Sequence, residues 1–442
     1  MKVIVIGGGP AGRAAALELA SLDNEVTLIE KNRIGGTCLN EGCMVICGLN
    51  DISRFLNDAK NLQANEIMNI QCDFNYSDIA NGIKETLNKI RHVTEKETVE
   101  AGIKLIYSEA TISDKLVNLN KKTLEYDKLI IATGGRPFIP PIKGIEHTIN
   151  YKNLLNIKEL PESLIIVGSG VIAAEIANIF SSMGSEVHVL CRNNFLGILK
   201  SEISDYIAEY LLKNVHIHKN ITIHEIKEDH ALTSEGKIEG LVFLATGTIP
   251  NSEIVKDILK TGPRGQILVN DKMETSHPGI YAAGDVIGSI GTTPVGRMEG
   301  VTAARNAAGI ETHINYKSIP HSISLNYDVA FLEDGPSLPL SNSKSSKSRP
   351  KSVTNGHIPG SAGPGSFWRV LSGHTGFSEL GVDLETGDIE SVLSISPSAR
   401  NNLAYISLLS RLDKKTYDFE KFVETHPSTD SLYKLMRFFS KY

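Results

Sequence analysis

The sequence predicts an α/β fold: two doubly wound parallel units followed by a smaller α+β domain. Three observations predict it. The chain opens on an apolar run that breaks into GGGPAG and then a helical pattern. The same strand–glycine–helix–strand order returns at 164–190. Beyond residue 376, strand-like alternation over 376–396 gives way to a helical pattern over 398–412.

The first unit reads as a strand over Val3–Ile6, a helix to about Ser21 and a strand over Val26–Glu30. Gly7, Gly9 and Gly12 occupy the G-x-G-x-x-G positions between the first strand and the helix, and Glu30 ends the second strand. That context favours dinucleotide binding. Gly7 permits the tight turn, Gly9 lets backbone approach a pyrophosphate, Gly12 allows close helix packing, and the acid reaches ribose hydroxyls. Lys31 adjoins this acid. The second unit has a strand over Leu164–Val167, then Gly168, Gly170 and Ala173, a helix, and a strand over Val187–Leu190. Both units are thus Rossmann-like, and the chain is expected to hold two dinucleotides unless one of the two domains is degenerate.

Three further strands end in small residues, which let a cofactor or crossing backbone come close. They are LIIATGGRP with Ala132, Thr133 and Gly134, LVFLATG with Gly247, and IYAAGDV with Gly284 and Asp285. Residues 335–366 are rich in Ser, Pro, Gly and Lys and read as a flexible surface insert.

Composition excludes several classes. Of 442 residues, 41% are hydrophobic and 22% charged, which is ordinary for a globular protein, and the net charge of −6 comes without a basic patch for nucleic acid. Apolar runs are strand-length, and the N-terminus lacks a secretory pattern. No nucleic-acid or membrane partner is expected, and a cytoplasmic location is.

Residues 35–47, GGTCLNEGCMVIC, gather Cys38, Cys43 and Cys47. A redox pair, a metal site and buried structural thiols are the alternatives, although no distal cysteine pair completes a zinc pattern. Cys43 is expected to open a helix running toward Ala59, whose N-terminus lowers a thiol pKa, with Cys38 in looser chain before it.

The GGTCLNEGC stretch, with the duplicated glycine motif, resembles the flavoprotein pyridine-nucleotide disulfide oxidoreductases. The resemblance spans nearly the whole chain outside 335–366. It implies an FAD domain over 1–145 and 264–315, an NAD(P) domain over 146–263, and a dimerisation domain over 316–442 that makes a homodimer. It further implies that Gly7, Gly9, Gly12, Glu30, Gly36, Thr37, Thr133, Gly134 and Asp285 line FAD. Asp285 would accept from a ribityl hydroxyl, and Cys38 and Cys43 would form the disulfide that exchanges electrons with the flavin. No resident metal is expected.

The chain departs from this family in three places. Where the family has C-x-P-S/T-K after the second cysteine, the lysine position is Cys47, so Glu175, the lysine's usual partner, loses its cation. Glu175 should then titrate abnormally or find another group. Cys47 reads equally as an inert small hydrophobe and as a third redox thiol. At the C-terminus, His426 and Pro427 match the family's acid/base motif, but Ser431 replaces the glutamate that orients the histidine, and Asp430 lies one residue early. Finally, the strand and loop at 320–335 match only loosely.

After the second unit's outer strand come Cys191 and Arg192. The absence of an acid and presence of arginine favour NADPH over NADH, because a guanidinium binds a 2′-phosphate bidentately. The expected activity is FAD-dependent NAD(P)H:disulfide oxidoreduction on a small disulfide or dithiol, dihydrolipoamide dehydrogenase-like. The alternatives are a flavin NAD(P)H oxidase or metal-ion reductase, and a redox-sensing, partner-binding flavoprotein.

Overall fold

The computed structural model describes residues 1–113, 115–120, 122–333 and 352–441. From the N-terminus, β1 (Lys2–Ile6), α1 (Pro10–Ser21) and β2 (Glu25–Glu30) form a βαβ unit with Val3 opposite Val26 in parallel register. The turn after β1 admits only glycine. Gly7 has φ 111°, and a Cβ there would lie 2.1 Å from the Ala132 carbonyl oxygen. A Cβ on Gly12 would lie 1.9 Å from the Gly7 oxygen, so α1 packs at backbone contact. Next come α2 (Gly36–Asn40), α3 (Cys43–Ala64), α4 (Tyr76–Glu100) and β3 (Lys104–Tyr107). An antiparallel meander follows, β4 (Ala110–Ser113), β5 (Leu116–Leu119) and β6 (Lys122–Glu125), then β7 (Lys128–Ile131) and β8 (Gly135–Pro137).

The second unit contains β9 (Ser163–Val167), α5 (Val171–Met183), β10 (Glu186–Leu190), α6 (Ser201–Tyr206) and β11 (Val215–His218). A second meander follows, β12 (Ile223–Ile226), β13 (His230–Thr233) and β14 (Gly236–Glu239), then β15 (Leu241–Leu244) and β16 (Thr248–Pro250). The chain then returns to the first unit through β17 (Ile280–Ala282) and α7 (Thr293–Ala307). The first parallel sheet is ordered β17-β7-β1-β2-β3, the second β11-β10-β9-β15, and the β16–β8 pair bridges the crossover. Both sheets are covered on both faces, which explains why β1, β7 and β9 are almost continuously apolar.

The C-terminal part is antiparallel: β18 (Ile319–Ser324), β19 (Asp328–Glu333), β20 (Val353–Pro359), β21 (Phe377–Asp383) and β22 (Asp388–Ser396), ordered β18-β19-β22-β21-β20. Against it pack α8 (Ala399–Arg411) and α9 (Leu432–Phe439), through Leu403, Ile406, Leu435 and Met436. The architecture is the expected one: two dinucleotide-binding folds and a C-terminal α+β domain.

Two expectations need correction. Of the expected flexible insert at 335–366, residues 335–351 lie outside the described residues, but Val353–Pro359 is a strand paired with β21 over its whole length. Its Gly356 makes room for α9, since a Cβ there would meet Leu435 and Phe439 at 2.9 Å. Cys38 sits not in loose chain but in the helical turn α2, and α3 runs on to Ala64.

One apolar cluster joins Val45 and Leu49 of α3, Ile176 and Phe180 of α5, and Ile323 and Val329 of the C-terminal sheet. This shared core fixes the three units around one cavity. No described helix is long and apolar enough to cross a membrane.

Candidate active site

A continuous cavity of about 3120 Å³ runs between the units. Gly7, Gly9, Glu30, Lys31, Gly36, Thr37, Ala132, Thr133, Gly134, Gly284 and Asp285 line it on the first unit, and Gly168, Gly170, Arg192 and Gly247 on the second. Cys38, Cys43, Cys47 and Glu175 line it where the two meet. Gly12 does not, in keeping with a packing role beneath the turn.

The lining fits two dinucleotides. α1 and α5 both begin at glycine N-caps without a side-chain cap, so their first-turn N–H groups are open to anionic groups in the cavity. Glu30 is fixed by the N–H groups of Gly8 at 2.7 Å and Asn32 at 2.8 Å, one to each carboxylate oxygen. The Asp285 carboxylate has no described hydrogen-bond partner, and burial pushes its pKa up; it needs a donor such as a hydroxyl. Buried Thr292 Oγ1 nearby is likewise unsatisfied. The Asp285 loop is held from behind by Glu299, which the sequence did not flag. This fully buried acid accepts from Gly284 N at 2.8 Å, Tyr316 Oη at 2.7 Å and Ser289 Oγ.

Cys38, midway along α2, and Cys43, at the start of α3, are free thiols on the same stretch of cavity wall. The neighbouring Cys43 thiol is the largest cause of the Cys38 pKa falling to about 6, with Thr293 and Arg297 assisting against burial. The same neighbour effect raises Cys43, to which burial and the Cys38 charge add. Thr293 Oγ1 lies 3.8 Å from Cys43 Sγ.

One turn further along α3, Cys47 faces the same cavity. Burial raises its pKa, and Arg400 opposes this. Glu175, left without a lysine, is pushed up by burial to about 7, against the Ser324 N–H, which it accepts at 2.8 Å, and the charge of Arg400. Arg400 comes from α8 and was not legible as a site residue.

His426 is not brought to Cys38 within one chain; it is exposed and lies outside the cavity lining. Neither neighbour orients it. Asp430 accepts from Tyr405 Oη at 2.9 Å, and buried Ser431 hydrogen-bonds Ser378. Arg192 is exposed at the cavity edge, while Cys191 beside it is buried, its thiol pushed up to about 11.

The sequence pattern of the family described as Pyridine nucleotide-disulphide oxidoreductase matches residues 1–307. An uncharacterised protein of Methanocaldococcus jannaschii, MJ0636, is 32% identical over 99% of this chain and 98% of its own length. Dihydrolipoyl dehydrogenase of Acholeplasma laidlawii is 31% identical over 71% of this chain and 98% of its own. In fold, the chain is similar to LpdA from Mycobacterium tuberculosis, with a TM-score of 0.86, 19% identity and 99% of both chains covered.

Proposed function

Since the chain belongs to the pyridine nucleotide-disulphide oxidoreductase family and is thereby an oxidoreductase using FAD and NAD(P)H, we propose that it reduces a small disulfide, or oxidises the matching dithiol, through Cys38 and Cys43. In this reading the chain divides into an FAD domain over 1–145 and 264–315, an NAD(P) domain over 146–263 and a dimerisation domain over 316–442. The observation that carries the reading is the Cys38 and Cys43 thiols together on the cavity wall shared with the glycines of both dinucleotide motifs.

Bound FAD supplies the two-electron step between nicotinamide and the Cys38–Cys43 disulfide. The chain's own residues do the rest. Gly9 and the open N-terminus of α1 take the pyrophosphate, Glu30 the ribose, and Asp285 a ribityl hydroxyl. Gly168, Gly170 and Arg192 receive the nicotinamide dinucleotide, with Arg192 favouring the 2′-phosphate of NADPH. In the reduced pair, Cys43 donates its hydrogen bond and Cys38 carries the thiolate at neutral pH. That thiolate attacks the substrate disulfide and forms a mixed disulfide as the first substrate thiolate leaves and takes a proton. Cys43 loses its proton and attacks the Cys38 sulfur, releasing the second substrate thiolate and restoring the Cys38–Cys43 bond. One NADPH and one proton are consumed per disulfide reduced to two thiols.

The open position of His426 supports assembly as a homodimer in which the partner presents this histidine. The test is NADPH- and NADH-dependent turnover of lipoamide, glutathione disulfide and other small disulfides, with Cys38→Ser and Cys43→Ser as controls. Turnover of none by the FAD-loaded protein would contradict the proposal. In that case the unoriented histidine would favour a redox-sensing flavoprotein.

A further inference from the structure

One stretch of the cavity wall is rich in groups that become negative. Cys43, Cys47 and Asp51 follow one another along α3 at successive turns, and Glu175 of α5 joins them. Like charges at this spacing repel, and a carboxyl out of water avoids ionising. A cation reaches this wall from another unit: Ser324, whose N–H Glu175 accepts, stands opposite Asp328 in the β18–β19 ladder, and Arg400, near the start of α8, is bonded to Asp328 and lines the same cavity.

Arg400 is held in place from one side. Its Nε donates to Asp328 Oδ2 at 2.9 Å, and Asp328, at the start of β19, is paired a second time with Arg54 of α3. The two terminal nitrogens of Arg400 make no described hydrogen bond, its side chain is 43% exposed, and it lines the cavity with Cys47 and Glu175. β18, which precedes β19, gives Glu175 the Ser324 N–H. The C-terminal unit therefore brings both a donor and a charge to this wall.

We propose that Arg400 is a positioning residue of the redox centre: it supplies, from the C-terminal domain, the positive charge that the redox helix lacks at Cys47, and so favours the anionic forms of Cys47 and Glu175. The proposal rests on reading Cys38 and Cys43 as the redox pair. The groups that set the balance are Arg400 on one side, Cys43, Asp51, Asp328 and the two anions themselves on the other, and the neutral Ser324 donor. Losing one opposite charge beside a partly buried thiol shifts it by about one pH unit.

The experiment follows iodoacetamide alkylation of Cys47 against pH by peptide mass spectrometry, in the FAD-loaded, oxidised protein, where Cys38 and Cys43 are protected as a disulfide. Arg400→Gln should slow alkylation at pH 8 by about tenfold, and the protonated-carboxyl infrared band of Glu175 should persist to higher pH. Arg400→Lys should restore both profiles. Unchanged profiles in a folded Arg400→Gln protein would overturn the proposal, as would Arg400→Lys behaving like Arg400→Gln. Arg54 still pairs Asp328 in these variants. If Arg400→Gln does not fold, Arg400→His makes the cation titratable, and the Cys47 profile must gain a second step near the histidine range; a single step overturns the proposal. FAD content and the Cys38–Cys43 disulfide, measured on the same samples, report the redox reading separately.

Discussion

Glu175 of α5 accepts the backbone N–H of Ser324 at 2.8 Å, a bond spanning 149 residues that ties the second parallel unit to the C-terminal sheet. The acid is held up at about 7, burial being the main cause. A carboxyl raised in the fold binds more protons folded than unfolded, so its favourable contribution is complete below the ordinary range near 4.5 and is lost as pH rises through about 7. Between pH 5 and 8 the wild type should lose up to roughly 3 kcal/mol relative to Glu175→Gln. Thermal midpoints of the two proteins across that range measure it, and a constant difference would contradict it.

The reduced Cys38–Cys43 pair should show a Cys38 alkylation midpoint about pH 6. Cys43→Ala removes the donor that most lowers it. A charge-assisted hydrogen bond is worth about 1.5–3 kcal/mol, so the midpoint should rise by about one to two units. A midpoint unmoved by Cys43→Ala would mean that Thr293 and Arg297 set the Cys38 pKa.

Gly12 is the third glycine position of its motif and Gly170 the second of its own, and the two differ in the space around them. A Cβ on Gly12 collides with the Gly7 oxygen at 1.9 Å, while one on Gly170 meets nothing within 4 Å. Gly12→Ala should lose bound FAD and fold poorly, and Gly170→Ala should fold and hold FAD like the wild type. Absorbance spectra and FAD release from the purified variants decide this.

Arg192→Ala should lower kcat/KM for NADPH about ten- to a hundredfold and leave NADH nearly unchanged, because only the 2′-phosphate loses a charged contact. Equal rates with both nucleotides in the wild type would remove Arg192 from the specificity argument.

Much of this was legible in sequence because it is local. The βαβ units announce themselves through apolar runs that break at Gly7, Gly9 and Gly12, and again at Gly168 and Gly170, and the cysteines lie within ten residues of one another. What escaped depends on distant chain. Arg400 joins Glu175 on the cavity wall only because α8 packs on the C-terminal sheet, and Glu299 of α7 braces Gly284 fifteen residues away. β20 was hidden by its composition: its Ser- and Gly-rich surroundings resemble a loop, and its pairing with β21 and fit against α9 overcome weak local propensity.

The most direct measurement is differential alkylation of the FAD-loaded protein before and after one equivalent of NADPH per chain, without oxygen, read by peptide mass spectrometry. The account predicts that Cys38 and Cys43 are blocked before addition and labelled after it, while Cys47 is labelled in both. Labelling of Cys38 and Cys43 that does not change on adding NADPH or NADH would contradict it.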